Sequence, residues 1–543
     1  MANSSSPSDG GTQTSVGGQS SYASSSVRHR AGAVPEWVWP ALVPCVSVAI
    51  VLAYLATHPY PAYGAGLYLQ IAEEIIANGY GLPESIPLYT EAGIPFAYPP
   101  LMFGVAAFLL DLGLDPITIS LGVPVLFTAA HPIVFYFIAR ELLPSRRQAA
   151  IAAMLLAVTP DTLQWHLSAG GLVRAPAFFL ALLGIYVALR VHRRGELKWV
   201  AAGTILFALT VLTHPVYTVF FGMSWLLVYL FFDRTVVGLV AGAVVAGGGV
   251  LVASPWWLQV VQTHGPGIFF AAAGTHSGLG GGLGRLLDSF VYIDADIVLP
   301  FYLLSFAGAA WFFKTRRLFL PTWLVASGYV IGKDRFMFVA GSMMAAALLV
   351  ELVVPWLRRH ASLPESRRAG TAVALAIVVL AATVGGLFAA GMLDSAHEHS
   401  STQPAFMDSA DEEAMEWVAA NTDAGTQFVV LGDAAEWFPL FTDRAILVGP
   451  WGVEWTTPAQ YDHQLELYTD ISACEDATCV TETLAENDVS PDYLYIPKDE
   501  YTVRGVEYTA DGSLRRSLVD TEGYEPVYEN EGAVVFRVTA HHG

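Results

Sequence analysis

The chain has 543 residues, 54% of them hydrophobic and only 14% charged, with a mean hydropathy of +0.48. Apolar runs of bilayer length recur between residues 36 and 393, which excludes a soluble globular protein and points to a polytopic helical membrane protein. The net charge of −21 is unevenly placed: from Asp394 onward there are 30 acidic against 6 basic residues, before it 18 against 21. So acidic a C-terminal region repels nucleic acid and anionic lipid, and its composition predicts solubility in strong brine, as in an extreme halophile.

Residues 1–33 are rich in Ser, Gly and Thr and are expected to be a disordered cytoplasmic tail. They lack the apolar core of a signal peptide. Arg28-His29-Arg30 precedes the first span, about 36–57, which predicts a cytoplasmic N-terminus. A loop at 58–101 then falls outside. Its first part has helical periodicity: Leu67, Ile71 and Ile75 share one face, and Gln70, Glu73, Glu74 and Asn78 lie toward the other. Gly79 and Gly81 end that helix, and a Pro-punctuated loop reaches Tyr98-Pro99-Pro100-Leu101. Such a loop is either a reaction site at a membrane face or a long linker.

The apolar piece 99–114 is interrupted by Asp111 and short for a crossing, so it is expected to be re-entrant or interfacial. The loops with Arg140, Arg146 and Arg147, with Arg190 to Lys198, with Arg234, with Lys314 to Arg317 and with Arg358 to Arg368 are all expected in the cytoplasm. One arrangement satisfies them, with spans near 117–139, 149–163, 172–191, 198–213, 215–232, 235–254, 297–313, 318–333, 336–357 and 370–392. With the first span it makes about eleven crossings in a transmembrane domain of 34–393, leaving the acidic region 394–543 outside.

That region alternates helix and strand signals. Helices are expected at 412–421, 461–468 and 480–486, strands at 426–431, 444–448 and 493–496, and a hairpin at 524–538, giving a small α/β domain. Of three cysteines, Cys45 sits inside the first span. Cys474 and Cys479 form C-x4-C, expected to be a local disulfide if the region is extracellular; no nearby spacing supplies a metal site.

Several polar residues collect at the predicted outer face. Asp161 and His166 lie in TPDTLQWHLSAGGLVRAP, Arg174 opens the next span, His214 ends another, and His264 and His276 lie in a large loop. Lys333, Asp334 and Arg335 fill a tight turn. Arg174 and Arg335 stand on the side that basic residues normally avoid, and guanidinium groups suit bidentate phosphate binding, with Lys333 adding a compact charge. The alternative is that Arg335 pairs with Asp334 or Glu351, or snorkels to lipid headgroups. The histidines show no HxxxH or HxH metal spacing, and Gly280-Gly281-Gly282 is followed by no GKS/T, so neither a metal site nor a phosphate loop is indicated. Asp433, Glu436, Trp437, Trp451, Glu454 and Trp455 group tryptophans with carboxylates. They suit carbohydrate, the domain core, or, as the favoured reading, the domain's seat on the membrane.

Taken together, Tyr68 in a loop helix, the Tyr98-Pro99-Pro100-Leu101 motif, the many-span body and the C-terminal α/β domain resemble the GT-C superfamily of integral-membrane glycosyltransferases, of protein O-mannosyltransferase or oligosaccharyltransferase type. With its acidic C-terminal region, the chain looks like a halophilic archaeal version. The resemblance implies a polyprenyl-phosphate-linked sugar donor, a glycan or protein acceptor, and transfer at the extracytoplasmic membrane face. It also implies an acid a few positions before Tyr68, where this chain reads Tyr63-Gly64-Ala65-Gly66-Leu67, and a second acid opening a later span, where it reads Gly170-Gly171-Leu172-Val173-Arg174. The nearest substitutes as catalytic acids are Glu91 and Asp161, then Glu74, with Arg174, His214, Lys333 and Arg335 as substrate-binding residues. A role for a divalent metal is left open. A rival reading is a non-catalytic relative that binds lipid-linked glycan in cell-envelope assembly. A transporter is disfavoured, because no span carries a buried acidic pair and the two halves show no repeat.

Overall fold

The computed structural model describes residues 35–275, 282–284, 286, 298–360, 367–393, 407–498, 500–503, 506–509 and 512–539. The tail 1–33, His276, Gly280-Gly281 and His541-His542 lie outside them.

Among the described residues six helices are long and apolar enough to cross a membrane: Val38–Thr57, Pro116–Leu142, Gly171–Arg193, Pro215–Phe232, Asp334–Leu357 and Thr371–Ala389. A seventh is added if the pair Val236–Val252 and Ser254–His264, bent by 56°, is one span. The other expected crossings coincide with shorter helices, Arg146–Ala157, Val200–Val211, Leu299–Lys314 and Phe319–Val330. The expected span 149–163 is divided for a local reason. Pro160, which lacks an N–H, starts a new helix, Pro160–Leu167, so Asp161 and His166 lie on a helix and not in a loop.

At the centre of the bundle, Asp334–Leu348 is buried at every position from Arg335 to Leu348. Small residues allow that enclosure. A Cβ on Gly341 would lie 2.6 Å from the Ser305 Oγ, and one on Gly308 would lie 2.6 Å from the Met344 carbonyl carbon. At one end of the bundle three arginines are paired. Arg190 meets Glu196 at 2.8 Å, Arg194 meets Glu141 at 2.8 Å, and Arg317 meets Glu351 at 2.7 Å.

The other end carries the C-terminal domain. Its five-stranded sheet has the order β4-β3-β5-β9-β8. The strands are β3 (Gln427–Val430), β4 (Ala445–Ile446), β5 (Tyr493–Pro497), β8 (Tyr524–Glu529) and β9 (Ala533–Val538); β3 pairs in parallel with β4 and β5, and β8 and β9 form the expected hairpin. The short hairpin β1–β2 (Ser85–Ile86, Ile94–Pro95) lies in the first loop, and β6–β7 (Glu500–Val503, Val506–Thr509) is a separate ribbon. Cys474 and Cys479 are joined, with Cα atoms 5.6 Å apart.

First loop and C-terminal domain are not separate bodies. The Thr90 N–H donates to the Ile446 carbonyl and the Ile446 N–H to that of Leu88, both at 2.9 Å, so the loop extends the sheet beyond β4. The apolar face of helix Gly66–Ala77 is buried in the same core as Val429, Trp437, Phe438 and Tyr495. Helix Leu101–Asp111, the expected interfacial piece, joins this core through Met102, Phe103, Ala106 and Ala107. Of the tryptophans expected at the domain's seat on the membrane, Trp437 is instead domain core, and Trp455 packs on Trp256 and Val260 of the helical body.

Candidate active site

From residue 160 to 178 only Asp161, Trp165 and Arg174 keep partial exposure. Asp161 and Trp165 are one helical turn apart and so share a face. The Arg174 Cζ lies 5.0 Å from the Trp165 ring centroid, and the Arg335 Cζ lies 5.7 Å from the same centroid. Two guanidinium groups from distant helices therefore meet on one indole. Arg335 also stands over Tyr217 at 5.8 Å and Phe336 at 5.2 Å.

Neither arginine forms an ion pair among the described residues, and Arg335, only 8% exposed, has an Nε with no hydrogen-bond partner. Glu351, the acid proposed above as its mate, is occupied by Arg317, Gln148 and Trp311. A buried guanidinium without a counter-ion is unfavourable by several kcal/mol in principle, and an anion relieves that cost.

Around this pair the chain is fitted closely. A Cβ on Gly170 would lie 2.0 Å from the Arg174 Nη1, so glycine there gives the guanidinium its resting place. Tyr63, held at φ 64°, stacks on Trp165 with centroids 6.0 Å apart, and its hydroxyl accepts from the Gln164 amide at 3.2 Å. The His166 Nε2 is 2.7 Å from the Tyr217 hydroxyl. Burial foremost, then His131 and Arg335 beside it, holds the His166 imidazole well below the ordinary histidine range.

The remaining expected residues are placed as follows. Lys333 is the N-cap of the helix that starts with Asp334 and Arg335. His214 caps Pro215–Phe232, its Nδ1 accepting from the Val216 N–H at 3.3 Å, and its ring meets Tyr217 edge-on at 5.1 Å. His264 lies 3.0 Å from the Glu84 carbonyl and ties a bundle helix to the first loop. Glu91 is exposed beside a turn in which Gly93 donates to Thr90. Glu74 faces the C-terminal domain; burial raises its carboxyl above the usual range, a Gln70 hydrogen bond opposes this, and Asp443 adds to it. Among the described contacts, none brings Glu91 or Glu74 to the arginine pair. Nor is there a group of three or more His, Cys, Asp or Glu residues able to hold a metal among the described residues.

Sequence reasoning missed Trp165 and Tyr63, and placed Glu436 only in the carboxylate–tryptophan group of the C-terminal domain. A Cβ on Gly64 would lie 2.1 Å from the Glu436 Oε2, and one on Gly66 would lie 2.1 Å from the Glu436 carbonyl oxygen. The segment 63–67, which has no acid of its own, thus has one pressed against it.

No family model and no curated protein matches the sequence. The tertiary arrangement does match solved structures. The archaeal oligosaccharyltransferase AglB from Archaeoglobus fulgidus, in complex with an inhibitory peptide and a dolichol-phosphate, aligns with a TM-score of 0.57 at 14% identity, over 91% of this chain and 79% of that one. ArnT from Cupriavidus metallidurans aligns with a TM-score of 0.54 at 16% identity in the apo state, over 92% and 98%. Bound to undecaprenyl phosphate, ArnT aligns with a TM-score of 0.51 at 14% identity, over 93% and 98%. The chain has the GT-C fold. At such identities the match carries the path of the chain and no residue's role. The GT-C body is what places the first loop against both the bundle end and the C-terminal domain.

Proposed function

We propose that this protein is a glycosyltransferase that moves a sugar from a polyprenyl-phosphate carrier to a glycan or protein acceptor at the extracytoplasmic membrane face. The observation that carries the reading is the pair of guanidinium groups on Trp165 without an acidic partner among the described residues. Such a pair suits a phosphate at the level of the lipid headgroups, where bidentate contacts to its anionic oxygens form in a weakly screened setting. The solved neighbours support it, since AglB is described with a dolichol-phosphate and ArnT with undecaprenyl phosphate.

In this reading Arg174 and Arg335 hold the carrier phosphate and stabilise the charge that grows on it as the sugar leaves. Lys333 adds charge from the turn beside Arg335, and His214 and His166 fix the position of Tyr217 under that guanidinium. Of the three acids chosen from sequence, Asp161 is the one that shares an element, and a face, with Trp165. The N-terminus lies in the cytoplasm and the C-terminal domain outside, with about eleven crossings counting the shorter helices.

The deciding experiment follows release of radiolabelled sugar from polyprenyl-phosphate donors by purified protein in liposomes. Release that is lost in Arg335→Ala is expected. Saturable donor binding without release favours the non-catalytic relative, which the acid-free segment 63–67 keeps in view. Orientation is tested separately: a cysteine placed in the C-terminal domain should react with an impermeant label on intact cells, and protection would overturn the assignment.

A further inference from the structure

We infer that Glu436, delivered by the C-terminal domain, is the carboxylate that takes the proton from the acceptor. The inference rests on the transferase reading above and names the residue which that reading lacks. Glu436 ends a short 3-10 turn, Asp433–Glu436, and is half-buried against the first loop. Its position is fixed by backbone. The Tyr89 hydroxyl donates to its carbonyl at 2.6 Å, and the Trp437 side chain that follows is wholly buried in the shared core.

The carboxylate lies where a side chain at position 64 would be, with Oε2 2.1 Å and Cδ 2.4 Å from a Cβ built on Gly64. No side chain fits there while Glu436 is in place, so the carboxylate fills a space that only glycine leaves. Directly before Gly64 in the chain is Tyr63, whose ring stacks on Trp165, the indole shared by Arg174 and Arg335. Consecutive Cα atoms are about 3.8 Å apart. The carboxylate therefore lies against one loop residue, and the ring that stacks on the indole of the cationic pair belongs to the next.

That disposition matches the two ends of a glycosyl transfer. A lone pair on the acceptor's O–H or N–H atom forms the new bond to the anomeric carbon. The bond from that carbon to the phosphate oxygen breaks, and its electron pair stays on the phosphate, held by Arg174 and Arg335. The acceptor proton passes to the Glu436 carboxylate. Glu91 is exposed in a turn, and Glu74 is hydrogen-bonded to Gln70 with Asp443 nearby, so neither competes for this place.

The test uses full-length protein in liposomes with radiolabelled polyprenyl-phosphate sugar and measures donor binding, sugar transfer and the pH profile of each variant. Glu436→Gln keeps the size, the backbone carbonyl and the Tyr89 hydrogen bond. It should lower kcat by about 100-fold or more. Donor binding should stay within about twofold, and the acid limb of the pH profile should disappear. Glu436→Asp keeps the charge on a shorter arm and should restore part of the rate together with that limb. If wild-type protein transfers sugar and Glu436→Gln transfers it equally well, the inference is overturned and the transferase reading survives. The same holds if Asp161→Asn abolishes transfer while Glu436→Gln does not. Wild-type protein that transfers from no donor sinks the transferase reading itself, and the assignment with it.

Discussion

Replacing Arg335 by methionine should move ligand affinity and apo stability in opposite directions. Arg335 is 8% exposed and lacks an ion pair among the described residues. Its favourable contacts are with the rings of Trp165, Tyr217 and Phe336 at 5.7, 5.8 and 5.2 Å, each of order 0.5–1 kcal/mol. Against them stands a desolvation cost of several kcal/mol for a buried unpaired charge. Methionine fills similar volume without that cost, so Arg335→Met is expected to leave the lipid-free melting midpoint unchanged or raise it. Donor binding loses a charge-assisted contact of about 2–3 kcal/mol, or about 30- to 150-fold in Kd. Thermal unfolding in detergent, with and without polyprenyl phosphate, reads both quantities on one sample. Lipid-dependent stabilisation should largely vanish in the variant. A variant that loses more than about 3 kcal/mol without lipid, yet binds donor normally, would falsify the argument and make Arg335 a structural residue.

Other substitutions test the surrounding fit. Gly170→Ala puts a Cβ 2.0 Å from the Arg174 Nη1, the far end of a flexible side chain, so donor affinity should fall while the melting midpoint moves little. Gly66→Ala instead meets the Glu436 carbonyl and the Trp437 Cα, at 2.1 and 2.5 Å, where no rotamer change relieves the clash. It should cost about 1–3 kcal/mol and make the C-terminal domain readily cleaved by protease, and intact protection would refute the shared core. Glu74 has its pKa raised from 4.5 by burial, so the folded state binds its proton more tightly than the unfolded chain does. Its contribution to stability is present below about pH 4.5 and declines as pH rises through the folded value. Glu74→Gln should flatten that decline in a melting series from pH 4 to pH 7, and an unchanged slope would refute the assignment. Replacing Cys474 and Cys479 by serine opens a five-residue link between two helices and should cost about 2 kcal/mol in chemical denaturation of the C-terminal domain.

Local properties of the sequence carried most of the architecture. Hydropathy marks the membrane part because each span must bury its own backbone polar groups in apolar surroundings. Period-two and period-3.6 patterns mark the helices and the Tyr524–Val538 hairpin, and Pro160 marks a helix start because it lacks an N–H. Arg174 and Arg335 stood out for a similar reason: charge at the wrong end of an apolar segment is costly wherever the helix goes. Their meeting on Trp165 is a tertiary fact, set by how two helices distant in sequence pack against Pro160–Leu167. The choice among acids is tertiary as well. Glu91 and Glu74 are near Tyr68 in sequence, but strand pairing at Ile446 and helix packing on Phe438–Thr442 turn that stretch toward the C-terminal domain. In sequence Glu436 stands only as one of a group of carboxylates and tryptophans in the C-terminal domain, with no signal that ties it to the first loop. Only the fit of Gly64 against its carboxylate, across a core built from both ends of the chain, brings it to the first loop, since side-chain volume excluded at one position can be seen only when its neighbour in space is known.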